Sequence, residues 1–218
     1  MAVSKCAILV ANLNCSEEHQ YMLRNDIAMM RERLGERNYY VNTYSITTKK
    51  EWEDVSIDGE YGEILFYYTG HGVEDKTKNE YYELGNRKIF GYNIDENSNY
   101  SLKDGTVNLN GKLFPLYAIH SNSSWTVILD CCYPTYYLYH GMSEPVSTSI
   151  TWITSCQPGG TSKFYLGQQC SLFTYWLNEY LHTGQMLVFS QFLIDNGYPI
   201  EAHFKNEKTP IIIKEERT

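Results

Sequence analysis

Four short apolar runs with little or no polar alternation limit what this chain can fold into more than any other feature. They are residues 6–11 (CAILVA), 64–68 (ILFYY), 125–130 (WTVILD) and 150–155 (ITWITS). A strand with one wet face alternates polar and apolar residues. A continuous run reads instead as a strand buried on both faces, the pattern of a parallel sheet covered by helices. Helical patterns lie between the runs. Ser16 offers an N-cap, Glu17 and Glu18 an acidic first turn, and Leu23, Ile27, Met30 and Leu34 follow at spacings of 4, 3 and 4. The spacing predicts an amphipathic helix that Gly35 stops. Leu172, Phe173, Trp176, Leu177, Tyr180 and Leu181 trace a second helical face, and Met186, Phe189 and Leu193 a third, closed by Gly197. Residues 39–46 and 209–213 read as further strands, and a hairpin is expected around 88–94 and 106–114. Strands alternating with helices imply an α/β fold with a mostly parallel sheet covered on both faces. The 218 residues show no internal repeat, linker or low-complexity tract, so one domain over 1–218 is expected.

Composition removes several classes. With 43% hydrophobic and 20% charged residues the chain is neither disordered nor fibrous. The 18 basic and 26 acidic side chains give a formal charge of −8 with no basic stripe, which argues against a nucleic-acid partner. No run approaches the roughly 18 apolar residues that span a bilayer, and the N-terminus reads as a first strand rather than a leader. A cytoplasmic location without membrane partners is the expectation. The six cysteines, Cys6, Cys15, Cys131, Cys132, Cys156 and Cys170, lie mostly in apolar runs and suit free thiols better than a disulfide framework. Twenty tyrosines suggest a surface rich in Tyr contacts. Pro158-Gly159-Gly160 is too short for a phosphate-cradling loop.

In open α/β sheets the chemistry sits beyond the carboxyl ends of the strands. Two of the buried runs end in reactive residues: Thr69-Gly70-His71-Gly72 after the second, and Cys131-Cys132 after the third. A cysteine peptidase needs a thiol nucleophile, an imidazole within reach, and donors for the oxyanion. A lone His or Cys is more often structural. Paired at the ends of two buried strands, they point to chemistry.

The run Ile64–Gly72 resembles the "YYSGHG" motif of metacaspases and other caspase-like proteases, and Val127–Tyr133 resembles their "D-x-C" nucleophile motif. Leu23-Arg24-Asn25-Asp26 is similar to the family's "ND" in its first helix. Ser155–Ser162 is similar to "S-x-x-P-G-x-x-S", and Cys170–Thr174 to "G-S-x-F-T". The resemblance runs from about residue 5 to residue 213. It implies a caspase-like three-layer α/β/α sandwich, with 1–132 large-subunit-like, 150–218 small-subunit-like and 133–149 a connecting loop. The 61-residue separation of His71 and Cys132 agrees with it.

What the resemblance implies is a cysteine endopeptidase with a Cys132/His71 dyad. Cys132 would attack, His71 would protonate the leaving amine, and the backbone amides of Gly72 and Cys132 would form the oxyanion hole. Substrate would bind along Thr161, Ser162 and Lys163 by strand addition. Asp26 and Asp130, with Thr69 nearby, would form an acidic S1 pocket that selects Arg or Lys at P1. Caspases proper carry an arginine near this edge to grip an acidic P1. Here Ser162-Lys163-Phe164 has none, and Arg24 and Lys163 are the basic candidates for the alternative, cleavage after Asp. The chain also departs from the family where "C-H-S-G" is replaced by Cys132-Tyr133-Pro134-Thr135, which keeps open a second alternative, a caspase-like pseudo-protease or binding module. The loop 133–149 has no Lys, Arg or Asp, so an intact single chain is expected to be competent. The partners expected are a protein or peptide substrate and an activator in trans, with the chain a monomer. No cofactor is expected. Calcium activation, common among metacaspases, is left unassigned, since the acids in 73–104 show no calcium-loop spacing. A role in programmed cell death follows only from the resemblance.

Overall fold

The structure is a computed structural model that describes residues 4–72, 120, 122–132, 150–156, 162–183 and 211–215. The expected hairpin in 88–114, the loop 133–149, Thr161 and the helical face at 186–193 lie outside the described residues. Chain order gives β1 (Lys5–Asn12), α1 (Glu17–Glu36), β2 (Tyr40–Ile46), α2 (Lys49–Glu53), β3 (Glu63–Thr69), β4 (Ser124–Asp130) and β5 (Ile150–Thr154). A short hairpin follows, β6 (Phe164–Tyr165) and β7 (Cys170–Ser171), with a 3-10 turn at Leu166–Gln168 between its strands. Then come α3 (Leu172–Thr183) and β8 (Ile211–Glu215).

Six strands form one sheet in the order β2-β1-β3-β4-β5-β8. The first five run parallel, and β8 is antiparallel to β5. All four apolar runs are strands of this sheet, as the absence of alternation requires. Side chains alternate between its faces. Ala7, Leu9, Leu65, Tyr67, Ile128 and Ile153 share one core cluster with Met30 and Leu34 of α1 and Phe173, Leu177, Tyr180 and Leu181 of α3. On the opposite face Phe66 meets Trp52 of α2 edge-on, 6.5 Å between rings. The fold is the mostly parallel α/β architecture with flanking helices that the sequence predicts.

Two details differ from the sequence reading. α1 runs through Gly35 and ends at Glu36, and the turn is made by Asn38, which takes the left-handed conformation at φ 62°. Asparagine tolerates that region better than most residues, so the helix needs no glycine stop. The short α2 carries a full Thr48/Glu51 capping box, a signal legible in the sequence but too brief to show periodicity. Tyr67, Tyr68 and Tyr180 are fully buried, in keeping with the apolar run and the helical face that contain them. Two of the hydroxyls find partners inside, Tyr67 with Thr174 at 2.6 Å and Tyr68 donating to the His71 carbonyl at 2.9 Å. Among the described residues no helix is long and apolar enough to cross a membrane.

Gly35 is exposed in a helix and nothing lies within 4 Å of a Cβ built on it. Gly35→Ala should therefore stabilise the fold by about 0.5–1 kcal/mol through helix propensity. Urea unfolding checks this; a lower midpoint would show that Gly35 has a structural task the geometry does not reveal.

Candidate active site

The parallel pairing of β3 and β4 places Thr69 opposite Asp130, and the Gly70 amide continues the ladder to the Asp130 carbonyl at 3.2 Å. His71 and Cys132 each stand two residues beyond that pair. Both line one cavity of about 140 Å³ at this end of the sheet, together with Thr69, Asp130, Ser162 and Lys163. Cys131 does not line it. Its thiol is buried, near Gly72, and its carbonyl accepts from Ser155 Oγ at 3.1 Å. The strand pleat thus sends one of the adjacent cysteines to the core and the other to the cavity.

The two glycines flanking His71 have separate reasons. Gly70 has φ +148°, and a Cβ there would stand 2.8 Å from the Asn12 Cβ. A Cβ on Gly72 would fall 1.9 Å from the Cys132 carbonyl oxygen. The backbones of the His71 turn and the Cys132 turn are therefore in direct contact. That closeness is what a shared oxyanion site at the Gly72 and Cys132 amides would require. The turn is also tied from within, since Asn12 Nδ2 donates to the Tyr68 hydroxyl at 3.3 Å, and that hydroxyl donates to the His71 carbonyl.

The acidic residues are the most heavily bonded part of the site. Asp130 is 2% exposed. Ser162 Oγ donates to its Oδ1 at 2.5 Å, Thr174 Oγ1 to its Oδ2 at 2.7 Å, and Ser171 Oγ also to Oδ2. Asp26 is fully buried, and its carboxyl accepts from the Ser171 amide at 2.8 Å and from Thr69 Oγ1 at 2.9 Å. Ser171 thus bridges the two acids, one through its amide and the other through its hydroxyl. Of the two carboxyls, Asp130 lines the cavity and Asp26 does not. Asp26 is fully buried, with its oxygens taken by Thr69 and by the Ser171 amide of β7.

Electrostatics follow from this burial. Desolvation and the nearby Asp130 hold Asp26 well above the ordinary carboxylate range, against the opposing bonds from Ser171 and Thr69. Burial also raises Asp130, less strongly, because the hydroxyls of Ser162, Ser171 and Thr174 favour its charged form. The Cys132 thiol is pushed up by burial and, less, by Asp130, while the Ser162 amide bonding to it pulls down. His71 is pushed down by burial and by His19. Burial therefore favours the neutral thiol of Cys132 and the neutral imidazole of His71.

Five lining residues were not among the site residues expected from the sequence: His19, Leu23, Gly70, Phe164 and Ser171. His19 and Leu23 are one turn apart on α1, so the apolar stripe that marked Leu23 also led to His19. Ser171 and Thr174 stood inside the "G-S-x-F-T" match without being assigned. Phe164 carried no signal of its own. Thr161 lies outside the described residues, as do the acids of 73–104. Among the described residues no group of three or more His, Cys, Asp or Glu could hold a metal ion.

The family model described as Caspase domain matches residues 5–195. Among solved structures the chain is similar to protein GSU0716 of Geobacter sulfurreducens, at 16% identity and a TM-score of 0.66, covering 99% of this chain and 94% of that one. It is also similar to caspase-1 of Spodoptera frugiperda, at 14% identity and a TM-score of 0.61, covering 97% of this chain and 86% of that one. At those identities the likeness is one of fold. A search of curated proteins returns no match.

Two outcomes are expected from this geometry. Gly72→Ala should cost about 1–3 kcal/mol or more, because the neighbour it meets is backbone and cannot swing aside; a thermal shift assay that shows no loss would contradict the contact with Cys132. The second concerns pH. Between the ordinary carboxylate pKa and its raised native value, Asp26 holds a proton in the folded chain that the unfolded chain has released. Stability therefore falls as pH rises through that window. Asp26→Asn should raise Tm at pH 8 by about 2–4 °C, the yield of ~1 kcal/mol in a domain of this size, and change little at pH 5. A lower Tm at pH 8 would mean that the ionised pair is the stable form.

Proposed function

The chain belongs to the caspase-domain family of cysteine peptidases, and from that premise we propose that it is an endopeptidase working through a Cys132/His71 dyad and cutting after Arg or Lys. The observation that carries the reading is that Cys132, His71 and Asp130 line one cavity. Cys132 Sγ attacks the scissile carbonyl and passes its proton to His71. Because both groups start neutral, the proton moves as the thiol attacks rather than before it. The Gly72 and Cys132 amides stabilise the oxyanion, a contribution worth ~10²–10³ in rate per donor elsewhere. His71 then gives the proton to the leaving amine, and a thioester remains. Water, deprotonated by His71, hydrolyses the thioester and restores the thiol. Every step is carried by this chain's own groups.

Specificity follows from Asp130. A P1 arginine or lysine extends its methylenes past Leu23 and Phe164 and brings its cation to the carboxylate, which Asp26 backs with further negative charge once it ionises. An acidic P1 side chain is repelled by the same group. Ser162 supports both halves of the site, since its amide bonds Cys132 and its hydroxyl bonds Asp130. The edge around Ser162 and Lys163 is where we place the extended substrate.

Fluorogenic peptides differing only at P1 test the reading. Cys132→Ala and His71→Ala should each abolish turnover, while Cys131→Ala should keep most of it. Asp130→Asn should lower kcat/KM for Arg substrates by roughly 10²-fold, as expected for losing a charged partner. Faster cleavage after Asp, or turnover surviving in Cys132→Ala, would overturn it. Failure of the intact chain to cleave any peptide or to react with an electrophilic probe at Cys132 would leave a caspase fold acting as a binding module.

A further inference from the structure

We propose that His19 is a positioning residue that orients the His71 imidazole in the cavity. The inference rests on the reading above only for its catalytic meaning. The contact itself is independent of it.

His19 is set in place by the start of α1. Ser16 caps the helix and its hydroxyl accepts from the His19 amide at 3.4 Å. The side chain then reaches the cavity, where its ring meets two others. It stacks on Phe164, with centroids 4.8 Å apart and planes 27° apart. It meets His71 edge to face, at 6.1 Å and 70°. His19, His71 and Phe164 all line the same cavity. The Nδ1 of His19 is buried and has no hydrogen-bond partner among the described residues. Among those residues, then, its Nδ1 makes no bond that would turn the ring, and the two aromatic contacts are what orient it. Edge-to-face pairs at this spacing have a preferred geometry, so the His19 ring limits the angles open to His71.

The second effect is electrostatic. Two imidazoles at this distance cannot both take a proton without repulsion. The other titratable groups lining the cavity are Cys132 and Asp130 from the end of β4 and Lys163 from the segment before β6. His19 is the one from α1, and its presence works with burial to hold His71 below the ordinary imidazole range. Glu17 and Glu18 lie in the same first turn of α1 but do not line the cavity. A His71 kept neutral down to lower pH is ready to accept the thiol proton over a wider range.

The test uses the full chain with His19→Gln, which keeps a polar group but no ring or charge, and His19→Phe, which keeps the ring but no charge. The His71 titration is followed by NMR of its ring carbon, assigned by its loss in His71→Gln, and kcat/KM is measured from pH 5 to 9. Both variants should raise the His71 midpoint by about half a pH unit or more, and the acid limb of the rate profile should move up with it. At pH 8 kcat should fall in both, and further in Gln than in Phe, because only Phe retains the ring contact. A residue that merely filled space would lower rates and leave the midpoint where it was, so unchanged midpoints in both variants overturn the proposal. Because the NMR midpoint needs no turnover, a chain without peptidase activity would sink the proposed function and still decide this inference.

Discussion

The parallel register of β3 against β4 is the constraint on which the site depends. It sets Thr69 beside Asp130, and His71 and Cys132 are counted from that pair. One step beyond it Gly70 turns the chain, and two steps beyond it stand His71 and Cys132. A slip of one residue would exchange the faces of β4, sending Cys131 to the cavity and Cys132 to the core. The register is held by the burial of both strands: Leu65, Tyr67 and Ile128 must face α1 and α3, and Phe66 must face Trp52. Core packing and site geometry are thus one requirement. Gly72 shows how tight it is, since the two turns touch where any larger residue would collide.

A second constraint is the buried pair of acids. Placing Asp26 and Asp130 together out of water opposes folding unless a proton or a cation offsets the charge. The fold supplies donors instead of a fixed cation. Ser162, Ser171 and Thr174 bond Asp130, while Thr69 and the Ser171 amide bond Asp26. Lys163 lines the cavity but forms no ion pair within 4 Å among the described residues. The same burial that raises the acids raises Cys132 and lowers His71, so desolvation sets the resting state of the whole cavity.

The sheet and the two main helices were legible because burial writes itself into local pattern. The four unalternating runs became β1, β3, β4 and β5, and the 4-3-4 spacing from Leu23 to Leu34 became the buried face of α1. What misled was local too. Gly35 looked like a stop, but nothing near it forces one, and Asn38 makes the turn. The pattern placed Tyr67 and Tyr68 in a buried run and Tyr180 on a helical face, but it could not show that Thr174 and the His71 carbonyl wait inside for two of their hydroxyls.

The sequence by itself determined which residues carry reactive groups and which strands end beside them. His71 between glycines and Cys132 after a buried strand are read from order alone, because a strand's end is a local event. Only the tertiary structure decided which groups meet. Ser171 bridges two acids 104 residues apart in the chain, Asp130 lines the cavity while Asp26 does not, and His19 reaches His71 from the first helix. These contacts join segments with no periodic relation to one another. They arise from the packing of α1 and the β6–β7 hairpin over the sheet end, and distance through space is not encoded in spacing along the chain.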